Sequence, residues 1–300
     1  MQKNLIEKIQ EGDMRALARF ISMVENEAPG YEKILSTLIF ANTPVIGITG
    51  PPGAGKSTLI NGLASNLLKQ NKKVAIIAVD PSSPFNHGAL MGDRLRMSEH
   101  FLNPKLFIRS MATRGNLGGL APKIFEVCDV LRAFHFDYII IETVGVGQSE
   151  VEIAGLADTT VLVLVPEAGD DIQTMKSGVL EIADIFVLNK ADREGADIFY
   201  KNLAALAHIN ASEQWEIPVI KTIASQQQGI DLLVQAIHNH AFIPVNSFKK
   251  IHLLAQKALV MIKALRTNDI DFNMLENDLK SETTGLNFNL YRYIEKYRLK

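Results

Sequence analysis

Gly50-Pro51-Pro52-Gly53-Ala54-Gly55-Lys56-Ser57-Thr58 follows directly on the apolar run Val45–Thr49. It opens a segment of helical period in which Leu59, Ile60, Leu63 and Leu67 share one face and Asn61, Asn66 and Lys69 the other. A strand, a glycine-rich turn and a helix, in that order, form the context that a phosphate-binding loop requires. Gly53 and Gly55 let the backbone turn so that the amides of Gly53, Ala54, Gly55, Lys56, Ser57 and Thr58 face a phosphate at the positive end of the helix. Lys56 adds a point charge for the outer phosphates, and the Ser57 hydroxyl is a ligand for Mg2+.

Six further runs rich in Val and Ile, at 74–79, 106–109, 138–141, 161–165, 185–188 and Val219–Thr222, alternate with longer helical patterns. That alternation predicts an α/β fold over residues 41–245, a mostly parallel P-loop NTPase sheet flanked by helices. Residues 1–40 read as an N-terminal helical extension. Asp13 is placed to cap a helix in which Leu17, Phe20, Ile21 and Val24 fall at i, i+3, i+4 and i+7, before Pro29-Gly30 ends the pattern. Residues 246–300 read as a C-terminal helical segment. There Ile251, Leu254, Ala258, Met261 and Leu265 repeat at alternating spacings of three and four, a seam that fits either a partner helix or the chain's own domain.

Asn189-Lys190-Ala191-Asp192 follows a strand, where a loop at the carboxyl end of a sheet faces bound ligand. The Asp192 carboxylate can accept from the ring N–H and exocyclic amine of guanine together, a donor pair that adenine lacks. Lys190 can lay its aliphatic stem over the base, so the pattern favours GTP and GDP over ATP. The run 138–141 ends in Glu142, with Gly145 three residues on. In a P-loop protein such an acid lies beside Mg2+, and the glycine amide senses the γ-phosphate. Asp80 and Asp93 are further acids for the metal, each of which also reads as an ordinary loop residue. The expected metal set is thus Ser57, Asp80, Asp93 and Glu142, and the expected catalytic set Lys56, Asp93, Glu142 and Gly145. Gln148 reads more readily as a solvated side chain than as a group that orients water. Arg94, Arg96, Arg109 and Arg114 each read better as ion-pair partners than as phosphate ligands. Cys128 falls on the apolar side of a helical pattern as a core residue, and His238 and His240, two apart, point to different faces and make a poor metal pair.

The chain has 300 residues with 31 Lys and Arg against 33 Asp and Glu, a formal net charge of −2. It offers no overall basic field for a nucleic-acid backbone. One cysteine allows no intramolecular disulfide and no paired-cysteine zinc site, which fits a cytoplasmic protein. No run approaches the length of a membrane span, and Glu7, Glu11 and Asp13 near the start are unlike a targeting signal. Neither nucleic acid nor membrane is therefore an expected partner.

Together these residues resemble the MeaB/ArgK family of GTPases, a SIMIBI-class branch of the P-loop proteins. Besides the nucleotide motifs, the resemblance is carried by Gly12-Asp13-Met14-Arg15-Ala16-Leu17-Ala18-Arg19, Asp80-Pro81-Ser82-Ser83-Pro84, Leu90-Met91-Gly92-Asp93-Arg94, Arg109-Ser110-Met111 and Arg114-Gly115-Asn116-Leu117-Gly118-Gly119-Leu120. It continues through Glu142-Thr143-Val144-Gly145-Val146-Gly147-Gln148-Ser149-Glu150 and Gly169-Asp170-Asp171-Ile172-Gln173. The resemblance implies an Mg2+-dependent GTPase that gates cofactor delivery to, or protects, an adenosylcobalamin-dependent acyl-CoA mutase such as methylmalonyl-CoA mutase. It also implies a cobalamin adenosyltransferase as a further partner, a homodimer, and a third switch over residues 166–184 containing Lys176. Two departures stand out. Thr222-Ile223-Ala224 replaces the family's Thr-Ser-Ala, leaving backbone contacts from Ile223 and Ala224 to the base, and the C-terminal segment lacks the family's usual ending. The alternatives are a metallochaperone GTPase for a nickel enzyme, which would carry a Cys- or His-based metal motif, and an ATP-dependent kinase linked to amino-acid transport, which the guanine reader opposes.

Overall fold

Each of the seven apolar runs is a strand in the computed structural model, which describes residues 2–80, 103–113, 120–145, 153–168, 180–211 and 214–241 and, beyond these, Ala255, Leu259, Ile262, Lys263, Arg266, Asp278 and Leu279. The strands are β1 (Val45–Thr49), β2 (Val74–Asp80), β3 (Leu106–Ala112), β4 (Tyr138–Glu142), β5 (Thr159–Leu164), β6 (Ile185–Asn189) and β7 (Val219–Thr222). They form one sheet in the order β3-β2-β4-β1-β5-β6-β7, and every neighbouring pair is parallel. β1, β2, β4, β5 and β6 are buried at every position, which explains why they read as continuous apolar runs; only the edge strands β3 and β7 carry positions that are not fully buried. Central β1 lies between β4 and β5, the kind of switch point beyond whose strand ends open α/β sheets hold ligand.

Strand parity sorts the core into two layers. On one face Ile46, Ile48, Ile140 and Val161 meet Leu59, Ile60, Leu63 and Leu67 of α4 (Lys56–Lys69). On the other, Val45, Ile139 and Ile141 share a cluster with α2 (Met14–Glu25), α3 (Tyr31–Leu35) and α5 (Ile124–Ala133), and Cys128 is buried there. α1 (Gln2–Gln10) precedes α2; α6 (Ala196–Asn210) covers Phe186 and Leu188, and α7 (Ile230–Ala241) lies against α4. The polar side of α4 is less wet than its sequence implies: Asn61 and Asn66 are half-buried and Lys69 alone of the three is exposed. The cause is α7, whose Ile230 sits where a Cβ on Gly62 would be only 3.1 Å from its Cδ1, so the absent side chain lets the helices close.

Asp13 caps α2 as expected, Oδ1 accepting from the amides of Arg15 (2.8 Å) and Ala16 (3.1 Å). Leu17, Phe20, Ile21 and Val24 are fully buried. At roughly 1.5–3 kcal/mol per side chain, this face outweighs the ion pair between Glu25 and Arg109 of β3, for which partial exposure leaves about 1 kcal/mol or less. Packing, not charge, holds the N-terminal helices on the sheet.

The chain divides into two units, Met1–Val245 and Asn246–Lys300. In the second, the seven residues described are helical, with Leu259 and Ile262 exposed; the seam positions Ile251, Leu254, Ala258, Met261 and Leu265 lie outside the described residues. Among the described residues no helix is long and apolar enough to cross a membrane.

The cap makes a pH prediction. The two amide donors, Ala16 first and Arg15 second, hold the Asp13 carboxyl below its ordinary range. A lowered folded-state pKa contributes stability that is present above the unfolded pKa and lost as pH falls through the folded one. Asp13→Ala should therefore lower the melting temperature at neutral pH, and the gap to the parent protein should narrow as pH drops through the carboxylate range. Thermal melts of the two proteins across that range check it.

Candidate active site

The site gathers at the carboxyl ends of β4, β1, β6 and β7. Beyond β1 the chain turns through residues 50–55 into α4, and Gly55, at φ +89°, precedes the first helical residue. A Cβ there would stand 2.4 Å from Asn189 Nδ2, so a glycine is needed for both the torsion and the approach. Lys56 Nζ donates to the carbonyls of Gly50 (2.8 Å) and Pro51 (3.2 Å), which keeps the ammonium folded over the loop. The Ser57 hydroxyl donates to Glu142 Oε1 at 2.7 Å. Asp80 ends β2 on the same sheet face as Glu142, because Ala78 is in register with Glu142 and Asp80 lies two residues on.

Lys56, Ser57, Asp80 and Glu142 are buried to 5–7% exposure in the ends of otherwise apolar strands and α4. Burying such groups is costly unless partners offset it, so a concentration of them marks a binding site. Hard oxygen donors from a hydroxyl and two carboxylates suit Mg2+, and the donor set present therefore fits that ion. Gly145, at φ +82°, lies against Lys56: a Cβ on it would be 2.4 Å from Nζ and 2.5 Å from the Gly50 carbonyl. Its backbone thus borders the space above the loop.

The loop after β6 is fixed by one side chain. Asn189, 2% exposed, donates from Nδ2 to the Ala54 carbonyl at 2.8 Å and accepts on Oδ1 from the Thr222 hydroxyl and the Ala224 amide, each at 3.1 Å. It therefore ties the phosphate loop, the end of β6 and the end of β7 together. Lys190, at φ +57°, sends Nζ to the Gly53 carbonyl at 2.8 Å, so its stem bridges the same two loops. Asp192 is exposed in a turn braced by Ala191 N to Thr222 O (3.1 Å) and Arg193 N to Lys190 O (3.0 Å). Arg193 pairs with Glu167 and holds that carboxyl below the ordinary range.

Hydrogen bonds and close approaches thus join Gly53, Ala54, Lys56, Ser57, Glu142, Gly145, Asn189, Lys190 and Ala224, with Gly55 against Asn189 and Ile223 next to Ala224; Asp80 shares the sheet face of Glu142, Thr58 continues α4, and Asp192 follows in the turn after β6. The amides of Ile223 and Ala224, expected on the base, donate instead to Gln228 O (3.2 Å) and Asn189 Oδ1. Asp93, Arg94, Arg96, Arg114, Gln148 and Lys176 lie outside the described residues. His238 is exposed while His240 meets Thr159 Oγ1 at 2.8 Å, so the two do point apart. Thr222 was legible only as part of a base-loop triplet; Thr49 and Thr143, hydrogen-bonded at 3.0 Å on the sheet face opposite α4, carried no signal beyond their neighbours.

Residues 17–278 match the family described as methylmalonyl-CoA mutase-associated GTPase MeaB. The chain belongs to that family. Over 246 residues, 80% of this chain and 76% of the other, it is 49% identical to a Pyrococcus abyssi protein named as a candidate GTPase. It is 35% identical over 247 residues to the GTPase ArgK of Escherichia coli, covering 77% of this chain and 73% of that one. A fused isobutyryl-CoA mutase of Geobacillus kaustophilus is 35% identical over 237 residues, which take in 74% of this chain but 22% of that much longer protein. The fold is shared with a crystal structure described as an LAO/AO transport system kinase, at a TM-score of 0.69 and 24% identity over 98% of this chain and 95% of that one. As a member of the MeaB family the chain is a GTP hydrolase that binds guanine nucleotide.

For this MeaB-family member, Asn189 is the single most exposed point of failure in the loop scaffold. Asn189→Ala leaves the buried Ala224 amide and Ala54 carbonyl unsatisfied, at about 1–3 kcal/mol each. Urea unfolding should show that loss of stability, and guanine-nucleotide affinity measured by calorimetry should fall with it.

Proposed function

We propose that this MeaB-family GTPase is an Mg2+-dependent chaperone for an adenosylcobalamin-dependent acyl-CoA mutase, gating cofactor delivery or protecting the loaded enzyme. The observation that carries this reading is the Geobacillus kaustophilus relative, in which a segment 35% identical to this chain lies in one polypeptide named a fused isobutyryl-CoA mutase. The family's own description, mutase-associated GTPase, points the same way.

In this reading the amides of Gly53 to Thr58 cradle the phosphates and Lys56 releases the Gly50 and Pro51 carbonyls to meet the outer ones. Ser57, Glu142 and Asp80, with Asp93, would hold Mg2+, which would supply neutralisation of phosphate charge. Gly145 presents its amide to the γ-phosphate. Asp192 takes the two guanine donors and Lys190, anchored on Gly53, lies along the base. Ile223 and Ala224 shape the last wall of that pocket. Residues 166–184 carry the third switch to the mutase, with the C-terminal segment 246–300 as a dimer arm and a cobalamin adenosyltransferase as a further partner. Intrinsic hydrolysis is slow in this reading, because the sequence singles out no residue to position water, and docking of the mutase supplies that order.

Two measurements test it. Asp192→Asn should shift preference from guanosine toward xanthosine nucleotides, and the parent protein should prefer GTP over ATP at least about a hundredfold, from two charge-assisted bonds; equal calorimetric affinities for GTP and ATP exclude the guanine role of Asp192. GTP turnover should rise when a purified adenosylcobalamin-dependent acyl-CoA mutase from the same organism is added. A mutase that neither binds nor stimulates removes the chaperone reading and leaves the GTPase.

A further inference from the structure

Glu142 and Thr143 are consecutive, so their side chains leave the end of β4 on opposite faces of the sheet. On the α4 face Glu142 takes the Ser57 hydroxyl at 2.7 Å. On the other face Thr143 donates its hydroxyl to that of Thr49 at 3.0 Å, with the two residues 1% and 0% exposed. Thr49 is the last residue of β1 and Ser57 the second of α4, so the two bonds clamp both ends of the phosphate loop 50–56 onto adjacent residues of one strand. The Thr143 amide also donates to Ile48 O at 3.1 Å, holding the residue on β1 through main chain and side chain at once. Two residues further on, the Gly145 backbone borders Lys56 and Gly50 with no room for a methyl group.

We propose that Thr143 is a positioning residue for GTP hydrolysis: its hydroxyl bond to Thr49 sets the height of Gly145 over the phosphate loop and thereby helps the protein distinguish GTP from GDP. The strand ladder ends at Thr143, and past it the described chain 144–145 is in neither helix nor strand. A terminal ladder bond on its own leaves the next residues free to swing. The buried hydroxyl pair is a second anchor on the far side of the strand, and two anchors on one residue remove that swing. Hydrogen-bond strength drops steeply with misalignment, so a small displacement at 143 is felt at an amide two residues away. GDP has no γ-phosphate and makes no use of that amide; only GTP binding and turnover depend on it. The inference rests on the reading of Gly145 as the group that meets the γ-phosphate.

The test uses the full chain with Thr143→Val, Thr49→Val, the double variant, Thr143→Ser, and Gly145→Ala as a reference. Turnover and KM for GTP are measured together with equilibrium affinities for GDP and for a non-hydrolysable GTP analogue. Thr143→Val should lower both kcat and the analogue-to-GDP preference about three- to tenfold, the range one neutral hydrogen bond carries, with GDP affinity unchanged. Thr143→Ser restores the hydroxyl and should restore both readouts. Thr49→Val should match Thr143→Val, and the double variant should lose no more than either, since the bond can be broken only once. The double variant replaces both polar partners by apolar groups of the same shape, which is nearly neutral for folding and keeps the comparison valid if a single variant is unstable. If Thr143→Val leaves the analogue-to-GDP preference unchanged while Gly145→Ala abolishes it, the inference fails and the Gly145 reading stands. If neither variant moves the preference, both fail, and losses that add in the double variant overturn the hydroxyl pair as the cause.

Discussion

The register between β1 and β4 decides where everything else in the site can be. Ile48 lies opposite Glu142, and the Thr143 amide continues the ladder to Ile48 O. Because strand side chains alternate, a slip of one residue would turn Glu142 into the apolar layer of α2 and α5 and place Thr143 under the phosphate loop. Ile139 and Ile141 belong to one layer and Ile140 to the other, all three fully buried, so the isoleucines satisfy both faces alike. What distinguishes the observed register is the pair of residues that follows them: Glu142 accepts from Ser57 on one face and Thr143 donates to Thr49 on the other, and a slip would bury both without these partners. Apolar burial drives the strand into the sheet; the polar pair at its end fixes its parity.

A second constraint works across the sheet rather than along a strand. Asn189 spends its amide nitrogen on the phosphate loop and its oxygen on the end of β7, so the spacing between the loops after β1, β6 and β7 is set by one short side chain. Lys190 adds a parallel link to Gly53. The carbonyls of Ala54 and Gly53 thus accept from the end of β6, while the Ala54 amide donates to Pro51 O at 3.3 Å within the turn. Both links originate in two consecutive residues at the end of β6, so a four-residue pattern marks the place where three segments join.

How far the chain could be read in advance follows from the same physics. All seven strands were legible because central parallel strands are buried on both faces and show as uninterrupted apolar runs, and the N-terminal helix was legible from Asp13 and the spacing of Leu17, Phe20, Ile21 and Val24. The residues Lys56, Ser57, Glu142, Asn189 and Lys190 were legible because local motifs place them. Contacts that join distant segments were not: nothing in the sequence pairs Thr49 with Thr143, 94 positions away, or Gly62 with Ile230. The half-burial of Asn61 and Asn66 escaped for the same reason, since the periodicity of α4 reports its sheet-facing side and is blind to a second helix arriving from much later in the chain. The engaged amides of Ile223 and Ala224 likewise depend on Gln228 and on Asn189 from another strand, which no triplet can announce.

The two faces of the sheet carry different work and meet at one dipeptide. The α4 face presents Ser57, Asp80 and Glu142; the opposite face is occupied by the N-terminal helices, whose Leu17 and Phe20 share a cluster with Ile141 of β4. Val144, between Thr143 and Gly145, packs against that same cluster. Interiors are close-packed, so movement of residues 143–145 displaces Val144 and has to be accommodated by the layer that holds α2 and α5. The N-terminal helices are thereby placed in one packed layer with the segment that borders the phosphate loop. The N-terminal helices cover the sheet, and the layer they belong to also receives Val144, the residue before Gly145.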